Sequence, residues 1–468
     1  METVTQSVFV AHEADRGDSR GRVIPVHISR RSSDGSQPAT LYHKTTLENG
    51  IRIVTKRMSG VRSVSIGILF DVGPRDDPAE KMGLAHLTEH MMFAGTSNRD
   101  AAQIARLMDE GGGSIGAFTA RDYTCYFSTV LDEYSTYAMD LLGDLLLNSI
   151  VPPENLEKEK QAVLREMEMA GDVPYQRAHE MLKSFTWPDH PLGNPIIGRP
   201  DTVTAINRDD VIYFMHQHYL PNRMIIAAAG NVAHLDFVAL ARDAFWRLLG
   251  ESIPQPLPIP DQSMGVKIDY RPVSQTYFCL GLQAPSYAHL DRYAVHLFNN
   301  VLGGGSSSRL FRKLRDEHGL VYSISSEYHA YLDDGLIVIE GSTAPQYLEE
   351  VLGLILEETK NLLNGSQPVD EEELRKAKMQ IRGSHLIGSE RTDTQMSRLA
   401  TQEFYFGRHI PTEEIVKQIE LIDLENLNGL FRTLLLESFQ QTKIALVGPE
   451  EGQHYSAQSI QQLLAGCL

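Results

Sequence analysis

Two imidazoles four residues apart, with a carboxylate beside them, stand in Gly83-Leu-Ala-His86-Leu-Thr-Glu89-His90-Met-Met-Phe93. On a helix, positions i and i+4 share a face, so His86 and His90 can both turn a ring nitrogen toward one ion. Glu89 follows His86 by three residues and projects from nearly the same face. There it can take a proton from a water beside the ion. This order mirrors the H-E-x-x-H zinc helix. A catalytic zinc usually takes three protein ligands and keeps one position open, so a third donor is needed. The best candidate is Glu166, 76 residues beyond His90, at the end of Glu157-Lys-Glu159-Lys-Gln-Ala-Val-Leu-Arg-Glu166. Glu159 lies two helical turns earlier on the same side and suits a supporting role toward a ligand. The histidine pair could instead be a solvated helix face. Its neighbours Leu84, Leu87, Met91 and Phe93 are apolar, however. Partly buried histidines need partners, and a metal would supply one.

The elements around these residues must position them. Arg62–Phe70 alternates as a strand. The histidine helix is predicted to open at Asp77-Pro78 and close near Gly95, with an acid at the cap, proline in the first turn and glycine at the end. The helix carrying Glu159 and Glu166 should begin after Pro152-Pro153. Leu47-Glu-Asn-Gly-Ile51 reads as a hairpin turn, because Asn-Gly suits the positive φ angles of a tight turn.

The chain has 468 residues, more than one ordinary core accommodates. Residues 1–40 are polar and rich in Ser, Arg, Asp and Gly, the composition of a disordered tail. Residues 41–250 form the expected metal-binding domain. Glu251–Asp261 carries four prolines in eleven positions and predicts a semi-rigid linker over 251–264. Residues 265–468 form a second domain. The two halves look duplicated. The stretch 222–230 resembles 442–448, each a strand ending in glycine; 151–160 resembles 368–378; Arg62–Phe70 is echoed by 275–282. The predicted class is α+β: two homologous α/β domains, each a mixed, largely antiparallel sheet packed with helices, joined by the proline-rich linker.

The second half lacks the ligand set. Matching Gly95 to Gly303 or Gly304 places Ala294, Leu297 and Phe298, or Val295, Phe298 and Asn299, opposite the two histidines and Glu89. Matching Leu156 to Leu374 sets Ala377 opposite Glu159 and Ser384 opposite Glu166. Only one half is therefore expected to bind the ion. The glycines at 303–305 are not followed by Gly-Lys-Ser/Thr, so they read as a connection between helices and not as a phosphate loop.

Bulk properties narrow the remaining classes. A formal net charge of −18 speaks against nucleic-acid binding, which needs a basic footprint. It could attract basic peptides, or simply keep the protein soluble. Cys125, Cys279 and Cys467 are sparse and lack a C-x-x-C spacing, which fits a reducing compartment. There is no secretory pattern at the start and no apolar run of membrane-spanning length. A cytoplasmic location without a membrane span is the expectation.

The ligand pattern and its spacing resemble the pitrilysin family of metallopeptidases, which includes insulysin and the mitochondrial processing peptidases, and especially its bacterial members of about this length. The resemblance runs from about Leu41 to Gly448. It implies one zinc ion per chain on His86, His90 and Glu166, with Glu89 as general base and Glu159 in support, in a zinc metalloendopeptidase. The stretch from Gly303 to Tyr322 resembles a second signature, and implies that Arg315 and Tyr322 contact substrate carbonyls and help stabilise the oxyanion. The strand Gly116-Ala117-Phe118-Thr119 is implied to bind substrate by edge pairing. Gly116 replaces the family's usual asparagine there, which bears on affinity and specificity. Relatives enclose peptides in a chamber of two such two-domain halves. A homodimer is therefore implied, with a heterodimer containing a related subunit as the competitor. The alternatives in function are a non-catalytic peptide-binding or scaffold subunit of a heterodimeric processing peptidase, and narrow processing of one precursor peptide.

Overall fold

The computed structural model describes residues 42–110, 112–253, 264–450 and 455–467. The tail expected over 1–40 and the proline-bearing part of the expected linker lie outside the described residues. The first sheet has six strands: β1 (Tyr42–Thr46), β2 (Arg52–Arg57), β3 (Ser63–Phe70), β4 (Ser114–Thr119), β5 (Thr124–Leu131) and β6 (Met224–Gly230), in the order β1-β2-β6-β3-β5-β4. The second has five: β7 (Gly265–Tyr270), β8 (Thr276–Ala284), β9 (Val321–Ala330), β10 (Gly335–Thr343) and β11 (Lys443–Gly448), in the order β7-β11-β8-β10-β9. Each sheet has one parallel pair, β2 with β6 and β7 with β11; every other pairing is antiparallel. Strand order and direction therefore repeat, β2-β6-β3-β5-β4 matching β7-β11-β8-β10-β9, with β1 added at one edge.

The predicted turn at Asn49-Gly50 joins β1 to β2, with Thr46 opposite Arg52. Along β3, Ile66, Ile68 and Phe70 enter one core, with Leu87 and Met91 of the histidine helix, Leu142, Phe214 and Phe245. The alternate residue Leu69 joins Ile225, Ala227 and Ala229 on the opposite face, against Met396, Leu399 and Ala400. Both faces of this sheet are thus apolar and covered, as its unbroken Ile/Ala/Val runs require.

That second cover changes the domain boundaries. The helix Thr392–Phe406 comes from the second half of the sequence yet packs on the first sheet. Ser65 Oγ bonds Thr392 Oγ1 at 2.9 Å, Lys56 Nζ bonds Gln395 at 2.6 Å, and Lys44 pairs with the buried Glu403 at 2.8 Å. The helix Pro174–Thr186 comes from the first half and packs Ala178, Met181 and Leu182 on Cys279, Val338 and Ala445 of the second sheet. The compact units are consequently 1–167 with 195–256 and 387–409, and 168–194 with 257–386 and 410–468. A division at 41–250 and 265–468 misses both exchanged helices. Among the described residues no helix is long and apolar enough to cross a membrane.

Gly230 ends β6 at φ +133°, and a Cβ there would lie 2.2 Å from the Ser63 carbonyl oxygen. Backbone cannot yield cheaply, so Gly230→Ala should destabilise the protein by roughly 2–4 kcal/mol. A urea midpoint equal to that of the parent would refute this account of the strand end.

Candidate metal centre

The histidine helix runs Leu84–Met92, later than the Asp77-Pro78 signal suggested. Pro78 instead begins a short 3-10 turn, Ala79–Lys81. Asp77 still serves the helix start, but from a distance: its carboxylate accepts the Gly83 and Ala85 backbone N–H groups at 2.7 and 2.8 Å. Gly83 sits at φ +92°, where a Cβ would meet the Ile197 carbonyl at 2.7 Å. Only glycine lets the chain turn there, and the buried acid satisfies amides that the first helical turn leaves open. Leu84, Ala85, Leu87, Met91 and Met92 are buried, which fixes the rotation of the helix and aims the two imidazoles together.

The helix Pro153–Asp172 brings the carboxylates. Leu156 and Val163, seven residues apart, are buried on its inner side. Asn155 Nδ2 donates to the Ala94 carbonyl at 2.5 Å, just beyond the histidine helix, and Lys160 Nζ donates to the Thr204 carbonyl at 3.1 Å. With the helix so held, Glu166 Oε2 lies 3.8 Å from His86 Nε2 and 3.9 Å from His90 Nε2. Donor atoms of all three residues fall within 4.8 Å of one another. A tetrahedral ion with bonds near 2.0–2.1 Å needs donor separations of about 3.3 Å, about half an ångström less than the two distances from Glu166 to the imidazoles. Donor type and spacing both fit zinc.

Hydrogen bonding prepares two of the groups. His90 Nδ1 lies 3.0 Å from Glu159 Oε2. Donation there fixes the tautomer and leaves the Nε2 lone pair directed at Glu166's side. Burial, with the neighbouring His90, pushes His86 down to about 4, so its imidazole is neutral at neutral pH and able to coordinate. Glu89 accepts the Thr119 hydroxyl at 2.6 Å. Burial raises the Glu89 carboxyl, an effect opposed by the Thr119 bond and His90 and reinforced by Glu166. A cleft of about 440 Å³ opens on Glu89, His90, Phe93, Asn155 and Glu159. A larger groove of about 720 Å³ elsewhere on this unit is lined by Arg62, Asp132 and Asp236. It contains none of the candidate residues, and Arg62 and Asp132 are already paired with each other at 3.2 Å. Of the two, the smaller cleft is the one that reaches candidate residues, Glu89, His90 and Glu159.

β4 is an edge strand, paired only with β5. Phe118 is exposed and Thr119 reaches Glu89, so one end of this strand adjoins the cleft. A Cβ at Gly116 would lie 3.1 Å from Phe127 Cζ; the aromatic ring fills the space beside this position. Arg315 and Tyr322 belong to the second unit, in a π-helical turn (Arg312–Glu317) and in β9. The Arg315 guanidinium lies 5.3 Å from the Tyr322 ring centroid and 4.9 Å from that of Phe311, and Tyr322 is 80% exposed. Sequence reasoning missed the reach of Asp77 to the helix, the Asn155 tie and the Thr119–Glu89 bond. Each joins residues that no local periodicity connects.

Comparison with known proteins gives a consistent picture. The family profile described as insulinase (peptidase family M16) matches residues 52–200, and that described as peptidase M16 inactive domain matches 205–381. An uncharacterized zinc protease of Bacillus subtilis, YmxG, is 35% identical over 404 residues, covering 86% of this chain and 97% of its own. An uncharacterized zinc protease of Mycobacterium tuberculosis is 34% identical over 443 residues, covering 93% and 98%. Among solved structures, a protease from Helicobacter pylori aligns with TM-score 0.81 at 21% identity, covering 88% of this chain and all of that one. A peptidase M16 inactive domain from Pseudomonas fluorescens gives the same score and identity, covering 88% and 99%. These two likenesses establish the fold.

Glu159→Gln keeps the shape of the side chain but gives His90 a weaker, uncharged acceptor. Zinc affinity should fall about 10–100-fold, read by competition with a chromophoric chelator. An unchanged Kd would remove Glu159 from this supporting role.

Proposed function

The chain belongs to the insulinase family of peptidases, family M16, and from that premise we propose that it is a zinc metalloendopeptidase acting on peptides or small unfolded protein segments. The observation that carries the proposal is the convergence of His86, His90 and Glu166, with His90 and Glu89 both opening on one cleft. One ion per chain would be held there. Zinc, when bound, supplies Lewis acidity toward the scissile carbonyl and lowers the pKa of water.

The protein's own groups do the rest. Glu89 takes the proton of the attacking water and later returns it to the leaving amine. Its raised carboxyl pKa brings it nearer to neutrality, where exchange in both directions is efficient. Thr119 holds that carboxylate by one oxygen. Glu159 keeps the His90 ring in one tautomer. The free edge of β4, from Gly116 through Ala117 and Phe118 to Thr119, offers main-chain groups to an extended peptide. Arg315 and Tyr322 serve as donors to substrate carbonyls and to the developing oxyanion, on the strength of the family resemblance. The assembly is a homodimer, since this chain carries both the donor set and the Arg/Tyr pair. The free thiols of Cys125 and Cys279 accord with a cytoplasmic setting.

A scaffold reading draws on the inactive-domain match over 205–381. That stretch excludes His86, Glu89, His90, Glu159 and Glu166, so it leaves the catalytic reading intact. The test is Glu89→Gln: zinc content by elemental analysis should stay at the parent level while peptide-library cleavage falls by about 10²–10⁴-fold. Retained cleavage would count heavily against the assignment, and no cleavage by the zinc-loaded parent would favour the scaffold. Size-exclusion chromatography with light scattering should give a dimer of the lone chain. A monomer without activity would sink the homodimer.

A further inference from the structure

The structure assigns a second transition-metal site to the other unit, made by His179 Nε2, Cys279 Sγ and the Glu340 carboxylate. Cys279 on β8 and Glu340 on β10 are direct cross-strand partners, so their side chains stand together on one face of the sheet. The helix Pro174–Thr186 lies on that face, packing Ala178 and Leu182 beside Cys279 and Val338. This places His179 over the pair, and the three donor atoms fall within 4.8 Å of one another. The site is well enclosed: the side chains of His179 and Glu340 are 13% and 11% exposed, and Cys279 is wholly buried.

A buried imidazole–carboxylate pair is the simpler reading. His179 Nε2 and Glu340 are in close contact, and Glu340 also accepts from Ser325 Oγ at 3.0 Å and from Tyr175. Such a pair has no use for the thiol. Cys279 nevertheless sits within coordinating reach of both groups, and its sulfur makes no hydrogen bond among the described residues. Burial pushes the thiol well up and denies it solvent, so nucleophilic chemistry is a poor use for it. One nitrogen, one sulfur and one oxygen in a dry pocket form a donor set suited to zinc. The thiolate disfavours magnesium and calcium. Occupation releases the thiol proton to solvent, and His179 binds through an Nε2 freed of its proton, which passes to Nδ1 or, from a doubly protonated ring, to solvent; no electrons move. The site would clamp the exchanged helix to the sheet it covers, and it stands independently of the catalytic reading.

Cobalt(II) is the probe, added to metal-free full-length chain. The His86 centre holds no sulfur, so a thiolate-to-cobalt charge-transfer band in the near ultraviolet that depends on Cys279 reports the new site. The expected result is two ions per chain and that band. Glu166→Gln should lose one ion and keep the band; Cys279→Ser should lose the band and one ion while peptide hydrolysis stays at the parent rate. The parent's own band needs no variant, so a poorly folded substitution does not spoil the test. Absence of the band on cobalt loading, or its survival in a folded Cys279→Ser protein, overturns the site.

Discussion

Donor atoms on two separate helices can share one ion only when both backbones are fixed to a fraction of an ångström. In the first unit that constraint falls on contacts lying just outside the donors. Asp77 holds the start of the histidine helix through two backbone N–H groups, and Gly83 lets the chain approach Ile197 closely enough to form that cap. At the other helix, Leu156 and Val163 insert into the core and Asn155 bonds the Ala94 carbonyl. The rotation of each helix is set by apolar burial, and its axial position by a polar tie at its end. Together they leave Glu166 nearly equidistant from the two imidazoles.

The second unit shows the same sheet without that chemistry. Its β7-β11-β8-β10-β9 order repeats the first, but the helix Arg292–Gly303 buries Ala294, Val295, Leu297 and Phe298 in its core. In either register, apolar packing residues replace the two histidines or one of them together with the base. Ala377, opposite Glu159, is likewise buried. The second unit keeps what a sheet needs to be covered and lacks the polar donors. The exchanged helices Pro174–Thr186 and Thr392–Phe406 follow from that same need. Each sheet has two apolar faces, and each unit's own half of the sequence leaves one of them to be covered from the other half.

Much of this was legible in the sequence, for physical reasons. A four-residue histidine spacing and a seven-residue acid spacing are helical periods, so they declare a common face before any tertiary contact is known. The Asn49-Gly50 turn and the strands Ser63–Phe70, Thr276–Ala284 and Met224–Gly230 were readable from turn chemistry and apolar runs. The domain boundary was not. A proline-rich stretch marks where the chain passes from one half to the other, whereas Thr392–Phe406 belongs to the first unit through Ser65, Lys56 and Lys44, partners more than three hundred residues away. The start of the histidine helix was misplaced for a similar reason. Asp77 is an N-terminal acceptor, as its type suggests, but it reaches the helix across a 3-10 turn that the local pattern Asp-Pro conceals.

The edge strand β4 shows how a departure from family pattern can be absorbed. At Gly116 the usual asparagine would carry a polar side chain, yet the Phe127 ring on the neighbouring strand lies within 3.1 Å of where that side chain would begin. The Phe127 ring thus occupies the space beside Gly116. On the proposed reading, a peptide lying along β4 would be held chiefly by backbone hydrogen bonds, which are indifferent to residue type, and by the exposed ring of Phe118. Selectivity would then fall to other parts of the cleft, such as the cation of Lys158 and the aromatic wall of Phe93.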